Sequence, residues 1–248
     1  MTTLVLIPGI QGRSEWMQPA IRVLSRRFRV LTFSLNAIEV EGFFDRCAAH
    51  IDALLADAGV ARAVIAGVSF GGLVALHYAA TRPARTSRLI LTSTPSPRWP
   101  LDATSARYTR RPRLALPLFA LRAVPRLAPE IFASFPTWPG RLRFAAAHLG
   151  RVARYPVAPR KMAAWVHAWQ AADLAAECQR VQAPTLVITG APGLDRVVPV
   201  ASSLDYLALI PGARHVPLER TGHLGFLTRP EAYADVVTAF VDGAESMR

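Results

Sequence analysis

Cysteine is nearly absent from the 248-residue chain, with only Cys47 and Cys178 present. Two are too few for a disulfide framework and show no metal-ligand spacing, so both are expected as small buried apolar side chains. A reducing compartment, the cytoplasm, fits that usage best. The N-terminus lacks the basic region, apolar segment and small-residue cleavage site of a secretory signal, entering TTLVLIPG at once. No stretch is long and apolar enough to span a bilayer. Internal repeats and low-complexity runs are also missing, and the composition is neither disordered nor fibrous. Acidic residues are scarce in one region: residues 97–170 carry thirteen basic side chains against two acidic ones, Asp102 and Glu130. That segment supplies +11 of the net charge of +12, and every basic residue in the chain except Lys161 is an arginine. The charge reads either as an arginine-rich solvated face or as attraction to something anionic: a membrane surface, a phosphorylated or carboxylated substrate, or an acyl carrier. No nucleic-acid-binding motif accompanies the arginines, so charge alone raises that possibility and it ranks low.

What is present is a chain that is 52% hydrophobic, long enough to bury a full core as one large domain or as a core with an inserted subdomain. Its centre is RAVIAGVSFGGLVALHYAA, residues 62–80. An apolar strand-type run (Val64, Ile65, Ala66, Val68) meets Gly67-Val68-Ser69-Phe70-Gly71 and then a helical run. A serine at such a strand-to-helix turn is pushed out of the sheet, and the start of the following helix offers unpaired N–H groups to an oxyanion. Ser69 is therefore the leading nucleophile candidate. The bare pattern is common, and its flanks are what raise it above chance.

In chain order, residues 2–7 read as a strand, Pro8 to Gly12 as a glycine-bearing turn, and 14–27 as a helix capped by Ser14 and interrupted by Pro19. Residues 29–35 read as a strand, 41–58 as a helix, and 87–93 as another strand after the Ser69 unit. This alternation predicts a parallel α/β sheet. From 97 to 182 the rhythm breaks into helical stretches rich in arginine, proline and aromatics, read as an inserted helical cap. Pro112, Pro117 and Pro125 argue against one long helix there. Phe132, Phe135, Trp138, Phe144, Trp165 and Trp169 are expected chiefly as cap packing, and His148 and His167 as structural. The sheet resumes with PTLVITG at 184–190, followed by a loop with Asp195, a helix near 203–209, a strand near 214–219, and His223 in TGHLG. Thr228 and Glu231 form a capping-box signature for a last helix through Phe240.

A serine that attacks a carbonyl needs a base, a group that orients the base, and N–H donors where negative charge develops. Asp195 follows one strand and His223 the next, so both can lie at the sheet edge that displays Ser69. Asp173, Asp205 and Asp102 remain alternative acids, because Asp195 can instead cap its own turn. His77 and His215 are poorly placed as bases. The order Ser, Asp, His, the LVLIPGIQG loop, GVSFGG, the insertion after SRLILTS, PTLVITG and TGHLG together resemble the α/β-hydrolase superfamily across essentially the whole chain.

The resemblance implies Ser69 as nucleophile, His223 as general base and then acid, Asp195 as its partner, and the backbone N–H groups of Phe70 and Ile10 as oxyanion hole. It implies a mostly parallel sheet of about six strands flanked by helices and lacking the family's first hairpin. The core is expected at 1–96 and 183–248, with the cap at 97–182. Three departures stand out: Pro8-Gly9 replaces the family's His-Gly, the loop from Gly190 to Asp195 is long, and the chain starts at what resembles the third strand. The expected activity is cofactor-independent and metal-free hydrolysis of a carboxylic ester or related acyl compound through an acyl-enzyme. Carbon–carbon hydrolases, lactonases, thioesterases and acyltransferases share the triad, and a non-catalytic receptor using the capped pocket is the reading from another class. The expected partners are a small acyl substrate, amphipathic or anionic, and an anionic membrane surface met by the basic cap. Neither pathway nor oligomeric state is readable.

Overall fold

The computed structural model describes residues 1–100 and 108–243, and at 113–120 the backbone alone. Six strands, β1 (Thr3–Ile7), β2 (Arg29–Thr32), β3 (Ala63–Val68), β4 (Thr86–Thr92), β5 (Thr185–Thr189) and β6 (Arg214–Pro217), form one sheet in the order β2-β1-β3-β4-β5-β6. Every neighbouring pair is parallel. Because both faces are covered, the central strands are continuous apolar runs, and β1, β3 and β5 are buried at every position.

Successive side chains of a strand point to opposite faces, and this sorts the core into two halves. Leu4, Leu6, Val64, Ala66 and Ile90 face α1 (Gln18–Leu24) and a C-terminal helix (Pro230–Val241) through Leu24, Tyr233 and Val237. Val5, Ile7, Ile65, Leu89 and Leu91 face α2 (Phe43–Asp57) and α3 (Phe70–Thr81). Cys47 and Cys178 are both buried, and burial pushes the Cys178 thiol up to about 12. They behave as the small apolar groups expected of them.

Between β4 and β5 lie α4 (Pro112–Ser134), α5 (Trp138–Arg154), α6 (Pro159–Ala171) and α7 (Leu174–Cys178). Then α8 (Val200–Leu209) precedes β6, and α9 (Gly225–Thr228) and α10 (Pro230–Val241) end the described chain. The helix α4 corrects an expectation, since it runs unbroken past Pro117 and Pro125. Pro112 sits in the first turn, where its missing N–H is spare. Pro125 withdraws the partner of the Leu121 carbonyl on a solvent-facing side, Leu121 being 69% exposed, so water can satisfy the freed group. The capping box is a second correction. Arg229 holds the N-cap position of α10 without a side-chain bond, Thr228 turns inward, and Glu231 pairs with Arg26 at 2.8 Å. Ser14 does not cap either, being the first residue of a 3-10 turn that leads into α1, with Pro19 in that helix's first turn.

The helix α3 crosses β3 at backbone contact. A Cβ on Gly67 would lie 2.2 Å from the Gly71 carbonyl oxygen, and one on Gly71 would lie 2.4 Å from that of Pro8. Neither neighbour is a side chain that can swing away. Gly67→Ala should therefore cost ~1–3 kcal/mol or more of stability in urea unfolding. An unchanged midpoint would mean that α3 does not pack this closely on β3.

Candidate active site

All six strands are parallel, so their carboxyl ends share one edge, and the candidate residues are carried on the loops leaving it. Ser69 directly follows β3 with φ 53° and ψ −126°, a backbone that strongly disfavours a non-glycine residue. Its N–H donates to the Thr92 carbonyl of β4 at 2.7 Å, and its own carbonyl accepts from Gly72 at 2.9 Å, so the turn is held from both sides. The hydroxyl has no hydrogen-bond partner among the described residues.

Two N–H groups beside it are also unspent. Phe70 opens α3 and so has no acceptor four residues back within the helix, and Ile10 sits in the turn after β1; neither donates to another described group. The Ile10 turn is closed by Gly12 N–H to Gly9 carbonyl at 2.8 Å and braced by the Ser34 hydroxyl on the Gly12 carbonyl at 2.7 Å. It passes close to the nucleophile candidate, since a Cβ on Gly9 would lie 3.4 Å from that of Ser69. The Phe70 ring is enclosed by Phe43, Phe44, Trp165 and Trp169 at centroid distances of 6.0 to 6.4 Å. Two of these rings belong to α6, so the segment between β4 and β5 packs around the residue that directly follows Ser69. The insertion's aromatics thus divide: Trp165 and Trp169 are buried, whereas Phe132 and Trp138 are exposed.

Asp195 and His223 meet. Asp195 Oδ2 accepts from His223 Nδ1 at 3.2 Å, while Oδ1 accepts the N–H groups of Val197 and Val198 at 3.0 and 2.9 Å. The aspartate thus closes its own turn and holds the imidazole at the same time, two roles that the sequence presented as alternatives. Burial pushes its carboxyl up, but His223 and the two N–H donors outweigh this and hold it below the ordinary value. The Nδ1 contact leaves Nε2 as the imidazole's other face. Ser69 and His223 share no hydrogen bond here. Such contacts are often long until substrate binds.

A carboxylate that sequence reasoning missed stands behind this pair. Glu130, on α4, is fully buried, and its two oxygens accept the Leu224 N–H at 3.0 and 2.9 Å. The Gly222 N–H faces the same carboxylate, and Thr228 donates to it at 3.4 Å. Burial pushes the Glu130 carboxyl up, against the lowering effect of those N–H groups. The loop is tied to α4 twice more. Arg220, at φ 59°, donates to the Ala133 carbonyl at 3.1 and 3.2 Å, and Ser134 donates to the Arg220 carbonyl at 2.9 Å. The available signal was that Glu130 is one of only two acids in the basic stretch 97–170.

The other candidates lie elsewhere. Asp173 caps α7 through the Ala176 N–H at 3.1 Å, Asp205 is exposed on α8, and Asp102 lies outside the described residues. His77 is buried between Glu177 and Asp45 at 3.0 and 3.2 Å, tying α3 to α7 and α2. His215 accepts or donates to Thr189 at 2.9 Å within the sheet. His148 stacks on Phe144 at 5.9 Å and meets Trp16 edge-on, and His167 is exposed. Among the described residues no group of three His, Cys, Asp or Glu side chains is placed to hold a metal ion.

A sequence profile described as "Alpha/beta hydrolase family" matches residues 4–236. The chain belongs to the alpha/beta hydrolase family. Within it, a Pseudomonas syringae protein named "Putative carbamate hydrolase RutD" is 26% identical over 248 residues, covering 96% of this chain and 93% of the relative. The crystal structure of a hydrolase from Pseudomonas aeruginosa PA01 has a TM-score of 0.72 at 25% identity, covering 97% of this chain and 90% of that one. An enol-lactonase from Burkholderia xenovorans LB400 shares the fold with a TM-score of 0.72 at 22% identity, over 98% of this chain and 92% of that one.

The charges around His223 carry a measurable consequence. Burial lowers its pKa, but Asp195 and then Glu130 raise it further, and the net value lies above the ordinary 6.5. An NMR titration of the imidazole should show this raised value. Asp195→Asn should lower it, and Glu130→Gln should lower it by a smaller amount, since each removes negative charge that favours imidazolium. An unmoved value in the glutamine variant would mean that Glu130 is protonated near neutral pH.

Proposed function

We propose that the protein is a serine hydrolase of carboxylic esters or related acyl compounds, acting through an acyl-enzyme at Ser69. The observation that carries this reading is the part-buried Asp195–His223 hydrogen bond at the same sheet edge as the strained Ser69 turn. Ser69 Oγ attacks the carbonyl carbon while His223 Nε2 takes its proton. The oxyanion that forms is received by the N–H groups of Phe70 and Ile10. As the intermediate collapses, the carbon–heteroatom bond to the leaving group breaks and His223 returns the proton to that group. Water, deprotonated by His223, then cleaves the acyl-enzyme. Asp195 keeps the imidazole in one tautomer and stabilises its cation. Family membership supports hydrolysis as the reaction class, and the name carried by the RutD relative is a reason to test carbamates, whose carbonyl is open to the same attack, beside esters and lactones.

The test is turnover of a short-to-long acyl p-nitrophenyl ester series, with a carbamate and a lactone alongside, by wild type and Ser69→Ala. The variant should fold normally and lose on the order of 10⁴–10⁶-fold in turnover. Full turnover by the folded variant would sink the mechanism. The base must be neutral, so kcat/KM should rise with pH through the raised His223 value, and its acid limb should lie above 6.5.

A further inference from the structure

The sequence placed a net charge of +11 on residues 97–170 without indicating what those residues surround. Two helices of this stretch carry an outward apolar surface. Leu121, Val124 and Phe132 on α4, and Trp138, Leu142 and Leu149 on α5, are 48–69% exposed. At about 100° per residue, each set falls on a single stripe of its helix. On α4 the stripe lies opposite the buried Glu130. On α5 it lies opposite Phe144, which packs on the core.

The two stripes join where Phe132 meets Trp138 edge-to-face at 5.6 Å. Arg141 locks the junction. Its guanidinium lies 4.3 Å from the Phe132 ring centre and 5.1 Å from that of Trp138, and its Nε donates to the Phe135 carbonyl at 2.9 Å. The surface is therefore preorganised. Arg122 and Arg143 stand exposed on the flanks of the stripes and Arg154 ends α5; none of the three forms an ion pair with any described residue.

We propose that this two-helix face docks on the surface of an anionic phospholipid bilayer. The six side chains would enter the boundary between headgroups and acyl chains, and the arginines would contact the lipid phosphates. Charge selects this occupant. A second copy applied to the same face would set arginine rim against arginine rim, with no exposed acid on α4 or α5 to offset it. A neutral apolar partner would leave the arginines unused. An anionic surface satisfies both the apolar stripe and its rim. No helix among the described residues is long and apolar enough to cross a membrane, so the contact lies on the surface.

Co-sedimentation with phosphatidylglycerol-containing and pure phosphatidylcholine vesicles tests this directly, using the full chain. Binding should be about tenfold tighter or more on the anionic vesicles and should weaken with added salt. The triple variant Trp138→Ala, Leu142→Ser, Leu149→Ser should lose about tenfold or more of that binding while keeping its circular dichroism and melting temperature. A second variant, Arg122→Gln, Arg143→Gln, Arg154→Gln, should lose the lipid-charge preference. Equal binding to both vesicle types, or no sedimentation by wild type, overturns the proposal. So does a wild-type dimer that the apolar triple variant dissociates, which would assign the face to a second copy. The readout is binding, so failure of the hydrolase reading would leave the result intact.

Discussion

The backbone contact of α3 on β3 is the constraint from which the rest of the site follows. With no Cβ at Gly67 or Gly71, the helix lies against the strand and against the turn after β1, and the chain must reverse within one residue. That residue is Ser69, and its left-handed conformation is strained by ~1–3 kcal/mol. The helix offsets this amply. Phe70 to Ala80 are all buried, and Leu73, Val74, Leu76 and Tyr78 each contribute ~1.5–3 kcal/mol of apolar burial. The same close approach brings the turn that carries Ile10 next to Ser69, and the Ile10 and Phe70 N–H groups donate to no other described group. Strain, exposure of the nucleophile candidate and placement of the donors share one steric cause.

Electrostatics organise the other half of the site. His223 feels two carboxylates whose surroundings push them in opposite directions. Asp195 is held below its ordinary pKa by His223 and by two backbone N–H groups, so it is suited to remain an anion. Glu130, wholly enclosed, is raised. One carboxylate faces the imidazole, and the other grips the backbone on which the imidazole is mounted. The loop's position therefore depends on a residue of the insertion and not on the sheet alone.

The parts that were legible in the sequence are those encoded locally. The strands are contiguous apolar runs, and Ser69, Asp195 and His223 each sit just beyond one of them, so a period-two or continuous pattern was enough to find them. The prolines misled because their cost depends on whether the freed carbonyl meets solvent or core, and only the fold decides that. Thr228 misled because a capping pattern four residues long cannot reveal a buried acid waiting on another helix. Glu130 was illegible for the same reason: its bonds to Leu224 join residues 94 apart, and nothing in PEIF distinguishes a buried clamp from a surface charge. The aromatics of the insertion look alike in sequence, and only their faces separate the buried Trp165 from the exposed Trp138.

The Glu130 contact also limits how freely the pieces of this molecule can be exchanged. Insertions between β4 and β5 invite grafting, because they begin and end at neighbouring strands. A chimera that kept this sheet but took a foreign segment without an acid at this place would strip the half-buried Leu224 N–H of its acceptor, at a cost of up to ~1–3 kcal/mol. It would also free the loop that carries His223. The working unit of inheritance in this chain is therefore larger than the sheet: α4 and the His223 loop have to change together.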